Sequence, residues 1–125
     1  MDAQDMGDAL ERILVTEDEL SRRMRELAAQ IDADYQGKEL LLVGVLKGAL
    51  MVMADLSRNL HTPLAMDWMA VSSYGTGTKS SGVVRILKDL DADVHGRDVL
   101  IVEDIIDSGL TLSWLRENLL SRGAA

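Results

Sequence analysis

The stretch from Asp98 to Thr111 constrains the possible fold more than any other part of this 125-residue chain. It begins with four consecutive aliphatic residues, Val99 to Val102, a run that is typical of a strand buried on both faces of a parallel sheet. A short polar turn, Asp107 to Thr111, follows the strand, and leucines at helical spacing come next (Leu112, Leu115 and Leu119). This order of strand, tight turn and helix predicts an α/β fold. It also directs backbone N–H groups and the positive end of a helix toward a bound phosphate.

Polar residues around this turn supply groups that can bind a ligand. Ser108 and Thr111 add hydroxyl donors, and Gly109 lets the backbone approach a ligand closely. Three carboxylates stand beside the predicted anion site: Glu103, Asp104 and Asp107. These acids could bind sugar hydroxyls, hold a metal ion or move a proton. The alternative is an ordinary strand–turn–helix connection in which Asp and Ser only cap the helix.

The segment Val102 to Thr111 resembles the 5-phosphoribosyl-1-diphosphate (PRPP) signature of the phosphoribosyltransferases, and it looks most like the hypoxanthine–guanine branch. The resemblance implies an α/β fold with a mainly parallel sheet, flanking helices on both faces and a two-stranded flexible hood. It also implies purine salvage, in which hypoxanthine or guanine reacts with PRPP to give IMP or GMP and diphosphate.

The resemblance further implies a role for each residue of the signature. Asp107 is expected to be the general base near the purine N7 and to belong to the 5′-phosphate turn. Glu103 and Asp104 are expected to hold the ribose hydroxyls, directly or through Mg²⁺, which is the implied cofactor. The remaining 5′-phosphate ligands are Ser108, Gly109, Leu110 and Thr111.

A second strand-to-helix turn carries a cation. A buried strand is predicted over Leu40 to Leu46, and an apolar helix over Ala49 to Leu56, with Lys47 and Gly48 between them. In isolation such a lysine is usually a solvated turn residue. Leu46-Lys47-Gly48 also resembles the family's diphosphate-binding loop, in which the peptide bond before the lysine is cis.

The hood is predicted from two strands and the polar stretch that joins them. The strands are expected over Leu64 to Val71 and Val83 to Lys88, and residues 72–82 between them are mostly Gly, Ser and Thr. A polar connection of this length is usually a functional or disordered loop. Ser73 and Tyr74 resemble the Ser-Tyr pair of the family's flexible loop, which covers the diphosphate. A flexible hairpin loop without that role is the alternative.

A capped helix is predicted before the first strand. Thr16 and Glu19 fit a capping box, in which Glu19 reaches back to the Thr16 N–H, and Val15 and Leu20 fit the hydrophobic staple. Apolar residues at helical spacing follow along one face: Leu20, Met24, Leu27, Ala28 and Ile31. Gly37 is expected to mark the end of this helix.

Composition narrows the classes of partner. The net charge of −8 argues against general binding to nucleic acid or to anionic membranes. The chain has no cysteine, which agrees with a reducing cytoplasm, and its N-terminus has no signal-peptide pattern. The family resemblance implies a cytoplasmic homo-oligomer, a dimer or a tetramer, that binds PRPP and a 6-oxopurine base.

Residues 1–125 are interpreted as a single phosphoribosyltransferase domain that lacks its C-terminal part. In the family, later strands carry a lysine that reads the purine 6-oxo group, an aromatic residue that stacks on the base and a metal-binding aspartate. Three alternatives stay open. One is a phosphoribosyltransferase for xanthine or another base, one is an RNA-binding regulator on the same scaffold, and one is a non-catalytic phosphoribosyl-binding fragment.

Overall fold

The computed structural model describes residues 7, 14–74, 83–103 and 109–125. The first four elements alternate between helix and strand, and two more strands and a final helix follow them. The elements are α1 (Glu17–Asp34), β1 (Leu40–Val45), α2 (Leu50–Asn59), β2 (Leu64–Tyr74), β3 (Val83–Lys88), β4 (Asp98–Val102) and α3 (Leu110–Ser121). None of the helices in this described part of the chain is both long enough and apolar enough to cross a bilayer.

Strand β1 is the centre of a four-stranded sheet with the order β3-β2-β1-β4. It pairs in parallel with β2 on one side and with β4 on the other, whereas β3 joins the edge of β2 in the antiparallel direction. All six residues of β1 are buried, as expected for a central parallel strand. The predicted α/β fold with a mainly parallel sheet is therefore confirmed.

Two apolar layers cover the two faces of this sheet. Alternate β1 residues, Leu40 and Leu42, pack with residues of α1 and α2 on one face. The residues between them, Leu41 and Val43, pack with Leu115 and Leu119 of α3 on the other face. A parallel strand that is buried on both faces needs such an unbroken aliphatic run, and helices lie on both faces as predicted.

Helix α1 begins at the predicted cap, but its stripe is only partly buried. The Thr16 hydroxyl oxygen accepts a hydrogen bond from the Glu19 N–H at 3.1 Å and donates to the Glu19 carboxylate at 3.0 Å. Ala28 and Ile31 are buried, whereas Leu20 is 57% exposed and Val15 is 58% exposed. Leu27 is 42% exposed as well, so Ala28 and Ile31 are the buried members of the stripe.

Strand β2 is longer than its sequence pattern indicates. It pairs with β1 from Leu64 to Met69 and then with β3 from Ala70 to Tyr74, with a register shift between Ala70 and Val71. Ser73 and Tyr74 therefore belong to a strand rather than to the predicted loop, and residues 75–82 lie outside the described residues. We call residues 70–74 and 83–88 together the hood hairpin.

The carboxylate of Asp32 joins the end of α1 to the turn between α2 and β2. It accepts hydrogen bonds from the Thr62 hydroxyl at 2.6 Å, from the Thr62 N–H at 2.8 Å and from the His61 N–H at 3.0 Å. These donors, the Thr62 hydroxyl first among them, lower the pKa of Asp32 from 3.8 to about 2. The ionised carboxylate therefore stabilises the fold above pH 3.8, and this stabilisation is lost as the pH falls toward about 2.

We expect Asp32→Asn to lower the free energy of unfolding at pH 7 by about 1–2 kcal/mol, less than the full pKa shift implies because solvent reaches the carboxylate. The difference from wild type should shrink as the pH falls from about 4 to about 2, since the wild-type carboxylate is then protonated. Chemical denaturation at several pH values measures this difference. Asp34→Asn, at an exposed position on the same helix end, is the matched control. If the free energy of unfolding of Asp32→Asn is lower than that of wild type by the same amount at all pH values, the stabilising role of the ionised Asp32 carboxylate is wrong.

Gly44 leaves the space that Trp68 fills on the α1–α2 face of the sheet. A Cβ atom at Gly44 would lie 2.5 Å from Cζ3 of Trp68 and 2.6 Å from its Cε3. We therefore expect Gly44→Ala to destabilise the fold by about 1–3 kcal/mol through overpacking. In a Trp68→Leu background, Gly44→Ala should lower the stability by less, because the indole ring that meets the added Cβ atom is absent. Equal costs in the two backgrounds, measured as a double-mutant cycle by urea denaturation, would show that the ring is not the cause.

Candidate functional site

The parallel register brings the predicted site segments to one edge of the sheet. Gly44 of β1 is level with Trp68 of β2 and with Val102 of β4. The three strands run in the same direction, so the segments that follow β1 and β4 leave the sheet at its carboxyl edge. These segments are the Lys47–Gly48 turn and the acidic stretch that begins at Glu103. Ligands of open α/β sheets bind outside this edge.

Backbone hydrogen bonds fix the turn that carries Lys47. The Leu46 N–H donates to the Met69 carbonyl of β2 at 2.8 Å, and the Lys47 carbonyl accepts from the Leu50 N–H at 3.1 Å. The Leu46–Lys47 peptide bond is cis, in agreement with the resemblance. Lys47 and Gly48 are both exposed. The turn therefore offers a cation and accessible backbone at the carboxyl edge while its ends are held by β2 and α2.

The predicted phosphate turn leads directly into α3. Gly109 is the N-cap residue with a φ of 81°, a left-handed conformation that favours glycine. Leu110 and Thr111 are the first residues of the helix, so the helix begins two residues earlier than the leucine spacing indicates. The N-terminal end of α3, which carries the positive end of the helix dipole, therefore lies in the connection that follows β4. Ser108 lies outside the described residues.

Of the three predicted acids, the structure describes Glu103 alone. Glu103 directly follows β4 and is partly buried, whereas Asp104 and Asp107 lie outside the described residues. Among the residues that are described, no group of three or more acids and histidines could hold a metal ion. A carboxylate such as Glu103 is the type of oxygen ligand that Mg²⁺ prefers, so the described part of the donor set fits the expected metal.

Sequence reasoning missed the contribution of β2 to this edge. The Met69 carbonyl holds the Lys47 turn, and one residue later β2 enters the hood hairpin that contains Ser73 and Tyr74. The mostly apolar run from Leu64 to Val71 indicates a strand, but the two serines that follow it are typical of a loop. Only the pairing with β3 shows that the strand continues.

Comparison with known proteins identifies the family. The model of the phosphoribosyl transferase domain matches residues 14–125, which is nearly the whole chain. The chain belongs to the phosphoribosyltransferase family. The resemblance noted from the signature segment thus extends over both strand-to-helix turns and the hood hairpin.

Individual relatives are similar over most of the chain. The hypoxanthine-guanine phosphoribosyltransferase of Mycobacterium bovis is 56% identical over 90% of this chain, and that of Bacillus subtilis is 56% identical over 86%. The crystal structure of a hypoxanthine phosphoribosyltransferase from Staphylococcus aureus has a TM-score of 0.90 and 46% identity, and it covers 96% of this chain and 65% of its own. The chain spans about three-fifths of the length of these curated relatives, 59% and 60%.

In this phosphoribosyltransferase domain, Gly109 offers a direct test of the phosphate turn. We expect Gly109→Ala to lower the stability by about 1 kcal/mol and to weaken the binding of inorganic phosphate by about tenfold, because alanine disfavours a φ near 81° and shifts the start of α3. Denaturation and an NMR titration measure the two effects.

Gly96 provides the matched control for this test. It has a φ of 71° in the turn before β4, and a Cβ atom at Gly96, as at Gly109, would meet open space. Gly96→Ala should lose a similar amount of stability and keep its affinity for phosphate. An equal loss of phosphate affinity in both variants would contradict the assignment of the turn.

Proposed function

We propose that this chain carries the phosphoribosyl-transfer site of a purine-salvage enzyme. The reaction joins hypoxanthine or guanine to the ribose C1 of PRPP, giving IMP or GMP and releasing diphosphate. One observation carries the proposal. The level ends of β1 and β4 put the Lys47–Gly48 turn, Glu103 and the start of α3 at one edge of the sheet. The relatives named hypoxanthine-guanine phosphoribosyltransferase support the substrate class.

The anionic groups of PRPP match two different parts of this edge. The 5′-phosphate fits the turn that ends in Gly109 and Thr111, where the positive end of α3 stabilises negative charge. The diphosphate fits the Lys47–Gly48 turn, where an ammonium group can stabilise the charge that develops on the leaving group. Because the chain has a net charge of −8, these local groups must hold the anions without help from the overall charge of the protein.

The carboxylates take the remaining roles in this proposal. Glu103 and Asp104 hold the ribose hydroxyls, and Asp107 takes the proton that the purine loses as the new bond forms. Mg²⁺, when bound by Glu103 and Asp104, would neutralise charge on the substrate oxygens. Ser73 and Tyr74, at the end of β2, would cover the diphosphate. A cytoplasmic location, a homo-oligomer and the absence of a nucleic-acid partner stay predictions from the sequence and the family resemblance.

The proposal is tested by turnover of the full gene product that contains these 125 residues. Diphosphate release and nucleotide formation are measured with PRPP and hypoxanthine, guanine, xanthine or adenine, with Mg²⁺ and after its removal by a chelator. We expect Mg²⁺-dependent turnover with hypoxanthine or guanine. Turnover with xanthine as the only active base would identify a xanthine phosphoribosyltransferase instead. If no base gives PRPP-dependent turnover, the proposed function is refuted.

Asp107 provides the sharpest test of the chemical step. We expect Asp107→Asn to lower kcat by about 10²–10⁴-fold, the range typical of a lost general base, while the affinity for PRPP changes much less. Stopped-assay kinetics and PRPP binding measure the two quantities. Asp18→Asn, at an exposed position in the first turn of α1, is the control and should keep wild-type kinetics. A near wild-type kcat in Asp107→Asn would exclude Asp107 as the proton acceptor.

A further inference from the structure

Asp67 is a buried carboxylate that the proposed reaction does not use. Its side chain is 6% exposed, and it is the charged residue that is buried among those the structure describes. It lies in β2 opposite Val43 of β1, on the face of the sheet that α3 covers. A buried carboxylate destabilises a protein unless hydrogen bonds compensate for its lost hydration, so its partners show what it does.

Three backbone N–H groups compensate the Asp67 carboxylate. Oδ1 accepts from the N–H of Trp68 at 2.8 Å, and Oδ2 accepts from the N–H groups of Asp91 at 3.0 Å and Ala92 at 2.8 Å. Asp91 and Ala92 belong to the irregular segment 89–97, which returns the chain from β3 to β4. Hydrogen bonds from N–H groups to an ionised acceptor are stronger than those to a neutral one. Asp67 therefore attaches this returning segment to β2.

The attachment lies where the hood hairpin leaves the sheet. Strand β2 pairs with β1 as far as Met69, and the register shift between Ala70 and Val71 marks its transfer to β3. The hood hairpin thus has two connections to the sheet, one through β2 and one through segment 89–97. The Asp67 carboxylate holds segment 89–97 against β2. With both connections held together, the hood hairpin has less freedom to rotate where β2 changes its pairing partner.

Two further side chains, those of Lys88 and Arg122, make polar contacts near this point. Nζ of Lys88, the last residue of β3, donates to the Trp68 carbonyl at 3.1 Å and to the Asp89 carbonyl at 3.0 Å. Asp89 in turn accepts two hydrogen bonds from the Arg122 guanidinium, at 2.9 and 3.0 Å, beyond the end of α3. The Arg122 guanidinium also lowers the pKa of Asp89. These contacts are more exposed than the Asp67 carboxylate, which makes Asp67 the central anchor.

The same part of β2 also holds the Lys47 turn. The Met69 carbonyl, two residues after Asp67, accepts a hydrogen bond from the Leu46 N–H at 2.8 Å. The relative position of the Lys47 turn and the hood hairpin is therefore set over residues 67–71. Ser73 and Tyr74, which the proposed function assigns to the diphosphate, follow at the next positions of β2.

We infer that Asp67 is a positioning residue for PRPP binding: it orients the hood hairpin against the Lys47 turn without touching the substrate. The inference rests on the proposed function for its substrate. It extends that function by assigning to a buried carboxylate, outside the signature segments, control over the diphosphate end of the site.

The test compares Asp67→Asn with Asp91→Asn. The amide at position 67 keeps the size of the carboxylate, but it has no negative charge and turns an NH₂ group toward one set of N–H donors. Asp91→Asn makes the same chemical change on an exposed side chain and keeps the backbone N–H that Asp67 binds. In the 125-residue chain, hydrogen exchange of the Ala92 amide should be about tenfold faster in Asp67→Asn than in Asp91→Asn or wild type.

Kinetics of the full gene product then separate positioning from stability. We expect Asp67→Asn to raise KM for PRPP by about tenfold while kcat changes by less than about threefold, because the reacting groups stay in place. Ile31→Val, a small truncation in the other apolar layer, should destabilise the fold and leave KM unchanged. If Asp67→Asn does not fold, Lys88→Met, at the exposed base of the hood hairpin, should raise KM for PRPP in the same direction.

The outcomes distinguish the two proposals. Unchanged exchange at Ala92 in Asp67→Asn would refute the anchoring role, and faster exchange with an unchanged KM for PRPP would refute the positioning role. A rise in KM of the same size in Ile31→Val would assign the effect to general destabilisation and would also overturn the inference. A wild-type gene product without PRPP-dependent turnover would refute the proposed function, and the exchange measurement would still decide whether Asp67 anchors the hairpin.

Discussion

The parallel pairing of β1 with both β2 and β4 is the interaction on which the rest of this structure depends. It buries every residue of β1, and it gives each face of the sheet an aliphatic surface that α1 and α2, or α3, can cover. It also sets the ends of the strands level with one another. The hydrophobic core and the geometry of the carboxyl edge therefore have the same origin, and a shift of register would move both together.

The carboxyl edge combines local positive potential with a chain that is acidic overall. Lys47 and the start of α3 supply the positive groups, and Glu103 stands directly after β4 on the same edge. Such an arrangement suits a ligand whose ends are phosphates and whose middle carries hydroxyl groups, because each part of the ligand meets a group of complementary chemistry. PRPP has this chemistry, and it is the ligand that the proposed function assigns to the edge.

Strand β2 has two structural roles, and the boundary between them lies beside the site. Its first half belongs to the parallel sheet, and its second half forms the hood hairpin with β3. A strand that changes partner in this way needs polar contacts at the change, since the hydrogen-bond ladder is interrupted there. The Asp67 carboxylate and the Lys88 ammonium group provide these contacts, and the Met69 carbonyl links them to the Lys47 turn.

The sequence by itself determined the fold class, the strands β1 and β4 and the two strand-to-helix turns, because aliphatic runs and glycine-containing turns express local preferences of the chain. It did not determine the end of β2, since Ser73 and Tyr74 pair with β3, whose residues come later in the chain. Nor did it indicate that Asp67 is buried or that Asp32 is an anchor. Four of their partners are backbone N–H groups 24 to 30 residues away, and backbone groups leave no trace in side-chain patterns. Only the tertiary structure decides such contacts, because a hydrogen bond between distant segments depends on how the whole chain packs and not on the residues on either side of it.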